Sequence, residues 1–407
     1  MKHPMSKANA AIISRLTDLF NQKFGRSEQS LRVFFAPGRV NLIGEYTDFT
    51  GGLVFPCGIT QGTWLIIRRT GSRQYRFAST NFDLMAQLEQ DQINRTYNDN
   101  WINYPLGVLD QFARRDVMLD GFDCLYSGDV PNGAGLSSSA SIEVVTAFAL
   151  NTLMQTNYSL LELVKISQAA ENDFVGMQCG IMDQFAVAMA QQDHAMQLDC
   201  ATLEYRQIPL NLNGISIVVS NTNQRRELND SAYNKRVSEC ARALDLLKPA
   251  VGITALGQLS PEHLDEHEAL FANDPIPLKR ARHVCMENAR VRAAVPALEL
   301  GDIAGFGQLM NDSHDSLNDL FDVSSEPLNQ LVKLAREQAG VLGSRLTGAG
   351  FGGCTVSLLP TSEVVDFEHY VGQRYTDATG LIASFYTMQA GAGVSEITLD
   401  PNLGASY

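Results

Sequence analysis

Residues 8–24, ANAAIISRLTDLFNQKF, bring Ile12, Ile13, Leu16, Leu19 and Phe20 onto one face at helical spacing, and the pattern predicts an amphipathic opening helix. RVFFAPGRV then reads as a strand entering a turn, and LVFPCGI and TWLIIRR as two further strands, so the charged stretch between them is expected to be a loop. Helical periodicity covers 101–115 and 140–155, and GFDCLYSGDVP between them ends as a strand. NYSLLELVKISQAAENDF predicts a helix capped by Ser159, with its apolar stripe starting at Leu160. After Asp199 the texture changes: GISIVVSNT and GGCTVSLLP read as strands among helical stretches at 231–248, 277–300 and 326–339, and the tail beyond Gln389 as partly strand. The expectation is an α+β chain in two parts, residues 1–205 and 206–407.

Composition supports that division. A chain of 407 residues, 45% hydrophobic, can bury large cores, and its length favours two domains. The balance of 45 acidic against 31 basic residues, a net charge of −14, argues against nucleic acid or an anionic membrane as partner. An anionic ligand would have to be held by a local cluster of donors or a metal ion. The seven cysteines are scattered singly, which suggests neither a disulfide framework nor a CxxC metal site, only reduced and mostly buried thiols. No signal-like core opens the sequence, and no segment reaches the roughly 18 apolar residues of a membrane span. A cytoplasmic address and a monomer are the favoured expectations. No repeat, low-complexity tract or linker interrupts the chain.

Four stretches could carry chemistry. APGRVNLIGEYTDFTGG, residues 36–52, sets Arg39, Glu45 and Asp48 in a backbone opened by Gly38, Gly44, Gly51 and Gly52. SGDVPNGAGLSSSASIEVVTAFAL, residues 127–150, leads a strand through Gly133 and Gly135 and three serines into a helix, where free N–H groups and the helix dipole favour phosphate. Its bland reading, a glycine turn with serine caps, has about equal weight in isolation, and no Gly-Lys-Ser/Thr makes it a Walker loop. In AENDFVGMQCGIMDQF, residues 170–185, Glu171 and Asp183 flank Gly176 and Gly180, and a carboxylate suits either magnesium binding or general-base work, so the two could serve separate roles. Each alone reads better as a solvated residue or a helix cap. LTGAGFGGCTVSLLP, residues 346–360, matches G-x-G-x-x-G formally, but a strand follows it where a dinucleotide fold needs a helix, so it is taken as a glycine-rich loop supporting a site. His263 and His267 lack a third zinc ligand, and Trp101 and Tyr104 read on spacing as core aromatics.

Taken together and in chain order, the Ala-Pro-Gly-Arg-Val-Asn-Leu-Ile-Gly-Glu, Pro-x-Gly-x-Gly-Leu-Ser-Ser-Ser-Ala, Cys-Gly-Ile-Met-Asp-Gln and Thr-Gly-x-Gly-Phe-Gly-Gly-Cys motifs resemble those of the galactokinases, a branch of the GHMP family of small-molecule kinases. The resemblance spans about residues 10–390. It implies a two-lobed GHMP kinase-like fold with mixed and antiparallel sheets and an active site in the interlobe cleft. The lobe of residues 1–205 would carry the sugar loop, phosphate loop and catalytic Asp, and that of 206–407 the glycine-rich loop at 347–354.

The activity implied is phosphoryl transfer from ATP, with Mg2+, to the anomeric hydroxyl of galactose. Arg39, Glu45, Tyr46, Asp48, Gly180, Asp183 and Tyr233 would frame the sugar, with Glu45 near O6 and Asp48 near O3 and O4. Asp183, beside Arg39, would take the proton from O1. Gly133, Ala134, Gly135, Leu136, Ser137, Ser138 and Ser139 would wrap the phosphates, Ser139 and Glu171 would hold magnesium, and Trp101 and Tyr104 would line the adenine pocket. Where the family has Gly-Glu-His-Thr-Asp-Tyr, this chain has Gly44, Glu45, Tyr46, Thr47, Asp48 and Phe49, which implies altered tolerance at C6. The alternatives are a kinase for N-acetylgalactosamine or arabinose, or a non-catalytic sensor of galactose and ATP. The intact serine loop and Asp183 weigh against the sensor.

Overall fold

The computed structural model describes residues 2–4, 7–93, 100–131, 135–224 and 229–398, and the account below concerns these. Two long strands form the spine of a seven-stranded sheet. β2 (Arg32–Asn41) and β4 (Pro56–Arg69) pair antiparallel, with a register shift between Pro37 and Arg39. The other members are β1 (Lys2–Pro4), β5 (Gln74–Ser79), β6 (Ala86–Glu89), β7 (Phe122–Gly128) and β14 (Ser395–Thr398), in the order β1-β14-β2-β4-β7-β5-β6.

The apolar run TWLIIRR is buried on both faces of this sheet. Trp64 and Ile66 pack with Leu16 and Phe20 of α1 (Lys7–Phe24), whereas Leu65 and Ile67 face the helices α2 (Asn103–Ala113), α3 (Ser138–Met154) and α4 (Leu160–Ala169). Burial on two sides accounts for an unbroken hydrophobic stretch in place of strict alternation.

A four-stranded antiparallel sheet in the order β11-β12-β10-β13 joins β10 (Ile215–Asn221), β11 (Gly343–Thr347), β12 (Cys354–Pro360) and β13 (Ser384–Met388). Val218 and Leu359 pack on α10 (Glu326–Glu337) and α11 (Val364–Thr379). On the other face Ile217, Val219, Val356 and Leu358 meet α8 (Pro275–Glu299) and α9 (Ile303–Ser316). A small third sheet, β3-β8-β9, holds β3 (Leu53–Val54), β8 (His194–Asp199) and β9 (Tyr205–Pro209). The remaining helices are α5 (Met182–Met189), α6 (Asn229–Val251) and α7 (Pro261–Glu266).

Two expectations change. Arg39 lies inside β2, not in a turn, because the Pro-Gly pair is absorbed by the bulge; proline has no N–H to give, and a bulge leaves one residue unpaired. LVFPCGI and TWLIIRR are not two separate strands: Leu53–Val54 forms the two-residue β3, and Pro56–Ile59 runs on into TWLIIRR as the 14-residue β4. Residue 205 is the first of β9, so a boundary there cuts the β8–β9 hairpin. β14, from the end of the chain, sits beside β2 in the first sheet. One core cluster crosses between the halves, with Val40, Leu42 and Phe55 packed among residues including Ile217, Val291 and Phe306.

Candidate active site

β2 delivers Arg39 to the centre of the site. Its side chain grips Asp183 with two bonds, Nε to Oδ1 and Nη2 to Oδ2, both 2.8 Å, and its Nη1 donates to the Gly135 carbonyl at 2.7 Å. Two parallel charge-assisted bonds fix the carboxylate's plane as well as its distance. Burial works against the Arg39 cation, but Asp183, Glu45 and Asp48 around it outweigh that and raise its pKa above the ordinary arginine value. Asp183 stands in the first turn of α5, where the helix dipole favours a carboxylate, and its side chain keeps 27% of its surface exposed.

The serine-rich turn closes on the same carboxylate. Ser137, at the start of α3 with φ 60°, donates from Oγ to Asp183 Oδ2 at 2.5 Å, and Leu136 O accepts the Arg39 N–H at 3.1 Å. Gly135, Leu136, Ser137, Ser138 and Ser139 are thus brought to Arg39 and Asp183 at a helix N-terminus. Gly133 and Ala134 lie outside the described residues.

Beyond β2 the chain forms the predicted charged loop. Glu45 is buried, and its Oε1 is taken by three groups of the C-terminal half: Arg345 Nη2 at 2.8 Å, the Gly348 N–H at 2.8 Å and Thr347 Oγ1 at 3.1 Å. Any further donor is left the second oxygen. Asp48 opens a short helical turn and packs on Gly180, where any Cβ would collide with its carboxyl. Burial, then the charge of Asp183, push the Asp48 carboxyl up to about 7. Tyr233 of α6 stands near enough to feel that charge: burial first and Asp48 next raise its phenol.

Tyr46 is 4% exposed and packs with Phe49, Tyr233 and Phe321, and its hydroxyl donates to Ala349 O at 2.5 Å. It therefore belongs to an aromatic wall, with its hydroxyl given to the glycine-rich loop. In that loop Gly348, Gly350, Phe351, Gly352 and Gly353 all have positive φ, which explains the glycines without any nucleotide role.

Glu171 sits in a wider helical turn, Ala170–Val175, that continues α4; such π-type turns recur at functional sites. Ser139, Cys179 and Gln184 bond its carboxylate, Gln184 Nε2 at 2.6 Å, and Gln184 also donates to the buried Glu143 at 3.0 Å. Burial and the nearby Asp183 charge push Glu171 up to about 7, a position that a hard cation would relieve. The hydroxyl and carboxylate oxygens of Ser139 and Glu171 fit magnesium, which binds through one or two carboxylates with water and phosphate supplying the rest. Among the described residues no group of three His, Cys, Asp or Glu is arranged for a metal.

Trp101 is 8% exposed, its ring lying parallel to Phe82 and edge-on to Tyr126, while its Nε1 has no partner among the described residues. With Phe82 over it, the indole is part of the core rather than an open stacking platform. Tyr104 follows at the start of α2.

Arg345 and Gln184 were not among the residues singled out from sequence, and Ser137 was expected at the phosphates rather than bonded to Asp183. Arg345 had a findable signal, a lone cation just before the glycine loop. Which way the Ser137 hydroxyl points depends on a left-handed backbone that no spacing reveals.

Comparison with known proteins decides the family. Three family models match: the galactokinase galactose-binding signature over residues 18–69, the GHMP kinases N-terminal domain over 103–191 and the GHMP kinases C-terminal domain over 294–377. A galactokinase of Clostridium acetobutylicum is 45% identical over 389 residues, covering 95% of this chain and 99% of that one. The chain belongs to the galactokinase family. A Bacillus subtilis member is 45% identical over 94% of this chain and 98% of its own. The crystal structure of Lactococcus lactis galactokinase complexed with galactose superposes with a TM-score of 0.92 at 40% identity, covering 94% of this chain and 99% of that one. A mevalonate kinase structure, 17% identical with a TM-score of 0.62, shares the fold. These family members do not favour the alternatives of an N-acetylgalactosamine or arabinose kinase or a sensor. Among the described residues no helix is long and apolar enough to cross a membrane.

Proposed function

We propose that the protein transfers the terminal phosphoryl group of ATP to the anomeric hydroxyl of galactose, giving galactose 1-phosphate. The observation that carries this reading is Asp183, held by Arg39 and Ser137 between the helix that would present the phosphates and the loop that would present the sugar. Asp183 accepts the O1 proton as the oxygen attacks phosphorus, and Arg39 keeps the carboxylate in line. The N–H groups at the start of α3 meet the phosphate oxygens, so catalysis rests on alignment and charge compensation. Ser139 and Glu171 would hold Mg2+, which when bound neutralises phosphate charge. Glu45 and Asp48 read the sugar hydroxyls, and Trp101, closed over by Phe82, is left out of the adenine pocket. The lobes divide after Pro209, with β14 returned to the first, and the site lies between them. A cytoplasmic monomer is proposed with it, the address in keeping with seven cysteines that form no disulfide.

The test is a panel of sugars with ATP and magnesium, the phosphate located by NMR. Galactose phosphorylated at C1 is expected, and turnover confined to another sugar or another hydroxyl refutes the reading. The finer proposal concerns C6. With the Tyr46 hydroxyl spent on Ala349, the ring alters tolerance there by its bulk. Kinetic constants for galactose and 6-deoxygalactose are compared between the parent and Tyr46→His; an unchanged ratio discards the idea.

A further inference from the structure

The loop of residues 44–53 joins strands of the N-terminal half, yet three side chains of one helix of the C-terminal half bind its backbone at both ends. Glu287 of α8 accepts through Oε1 from the Gly44 N–H at 2.9 Å and the Glu45 N–H at 3.3 Å, and from Ser313 Oγ at 2.7 Å. One turn earlier, His283 Nε2 lies 3.1 Å from the Glu45 carbonyl, while its Nδ1 lies 2.8 Å from Ser316 Oγ. At the far end of the loop, Asn288 Oδ1 accepts the Leu53 N–H at 2.7 Å and its Nδ2 donates to Gly257 O at 3.3 Å. All three side chains are fully buried. Arg290 closes on the other oxygen of Glu287 at 2.7 Å, so the buried charge is paired as well as hydrogen-bonded. The carbonyl acceptor requires the Nε2–H form of His283, with Nδ1 accepting from Ser316.

We infer that His283, Glu287 and Asn288 are positioning residues for the sugar site: through four hydrogen bonds to the peptides of Gly44, Glu45 and Leu53 they set where Glu45 and Asp48 stand, without themselves touching the ligand. Small displacements of a recognition group are expensive, because hydrogen-bond strength falls steeply with angle and distance. The clasp acts on sugar affinity and leaves nucleotide affinity alone, since the serine turn is held instead by Arg39. The inference rests on the proposal that this loop binds galactose.

The full-length enzyme is tested with His283→Leu, Asn288→Ala and His283→Gln, reading galactose and ATP KM, galactose Kd by calorimetry, and Tm. The first two are expected to raise galactose KM and Kd tenfold or more with ATP KM within twofold. His283→Gln, whose amide N–H can reach the place of Nε2, is expected to recover most of the loss. Should the leucine variant fail to fold, Ser316→Ala, which frees the imidazole to swing, carries the test with an expected threefold rise in galactose KM. Variants that melt earlier yet keep the parent's galactose Kd, or that raise both KM values equally, overturn the inference and leave these residues a purely structural role. A parent enzyme that binds no galactose overturns the underlying site reading and the inference with it.

Discussion

Asp48 and Gly180 show how single residues set the behaviour of the sugar site. With its carboxyl pushed up to about 7 by burial and by Asp183, Asp48 gains a proton as pH falls through neutrality and loses acceptor capacity toward hydroxyls. Galactose KM is therefore expected to rise several-fold between pH 8 and pH 6, while kcat at saturating sugar moves less; steady-state kinetics across that range check it. The stability sign is opposite to that of a salt-bridged acid. Between about 4 and 7 the folded state binds more protons than the unfolded one, so stability falls as pH rises through that window, and Asp48→Asn is expected to melt above the parent at pH 8. Gly180→Ala drives a methyl into the Asp48 carboxyl, and a galactose KM at least about tenfold higher with unchanged ATP KM is the expected result, since a factor of ten is only about 1.4 kcal/mol. That Arg39, Glu45 and Asp48 share a glycine-opened stretch was legible in the sequence, but their grouping with Asp183, which by spacing alone read as a helix cap, came from the resemblance of the four motifs taken together. Arg345 and the Glu287 clasp were not legible, because their partners lie hundreds of residues away or on a backbone N–H.

At the scale of elements, the β11–β12 hairpin joins the two halves of the site. Arg345 and Thr347 on β11, and Gly348 just after it, converge on Glu45. Arg345→Met removes the cation and leaves Glu45 buried without it, at a cost of about 3–5 kcal/mol in stability, readable by denaturant titration. A variant that retained the parent's midpoint would show that water reaches Glu45 and that the pair holds little. Gly350 has φ 69° and its Cβ would meet the Val323 carbonyl, so Gly350→Ala is expected to cost about 1 kcal/mol or more and to loosen the loop against Tyr46. The helices α1 and α10 were readable from their periodic faces, α4 from its Ser159 cap, and β10 and β12 from short β-branched runs. β2 and β4 were shortened in the reading because Pro-Gly and the Gly-x-x-x-Gly within β4 signal turns locally, and only pairing over ten residues overrides that signal.

For the whole molecule, the net charge of −14 sets the general field against ATP, so nucleotide affinity must come from local donors, which the proposed function puts at the serine turn, rather than from long-range steering. The two-lobed α+β organisation was legible, since each half carries its own mixture of strands and helices. The return of β14 to the first sheet and the core shared between the halves were not, because nothing local marks a strand for a partner some 360 residues earlier. The account depends most on Asp183, so the most direct measurement is kcat of Asp183→Asn together with the Kd of galactose and of ATP. A fall in kcat of about 10²–10⁴-fold with both affinities within a few-fold of the parent is predicted. A variant that keeps kcat within threefold while binding both substrates would contradict it.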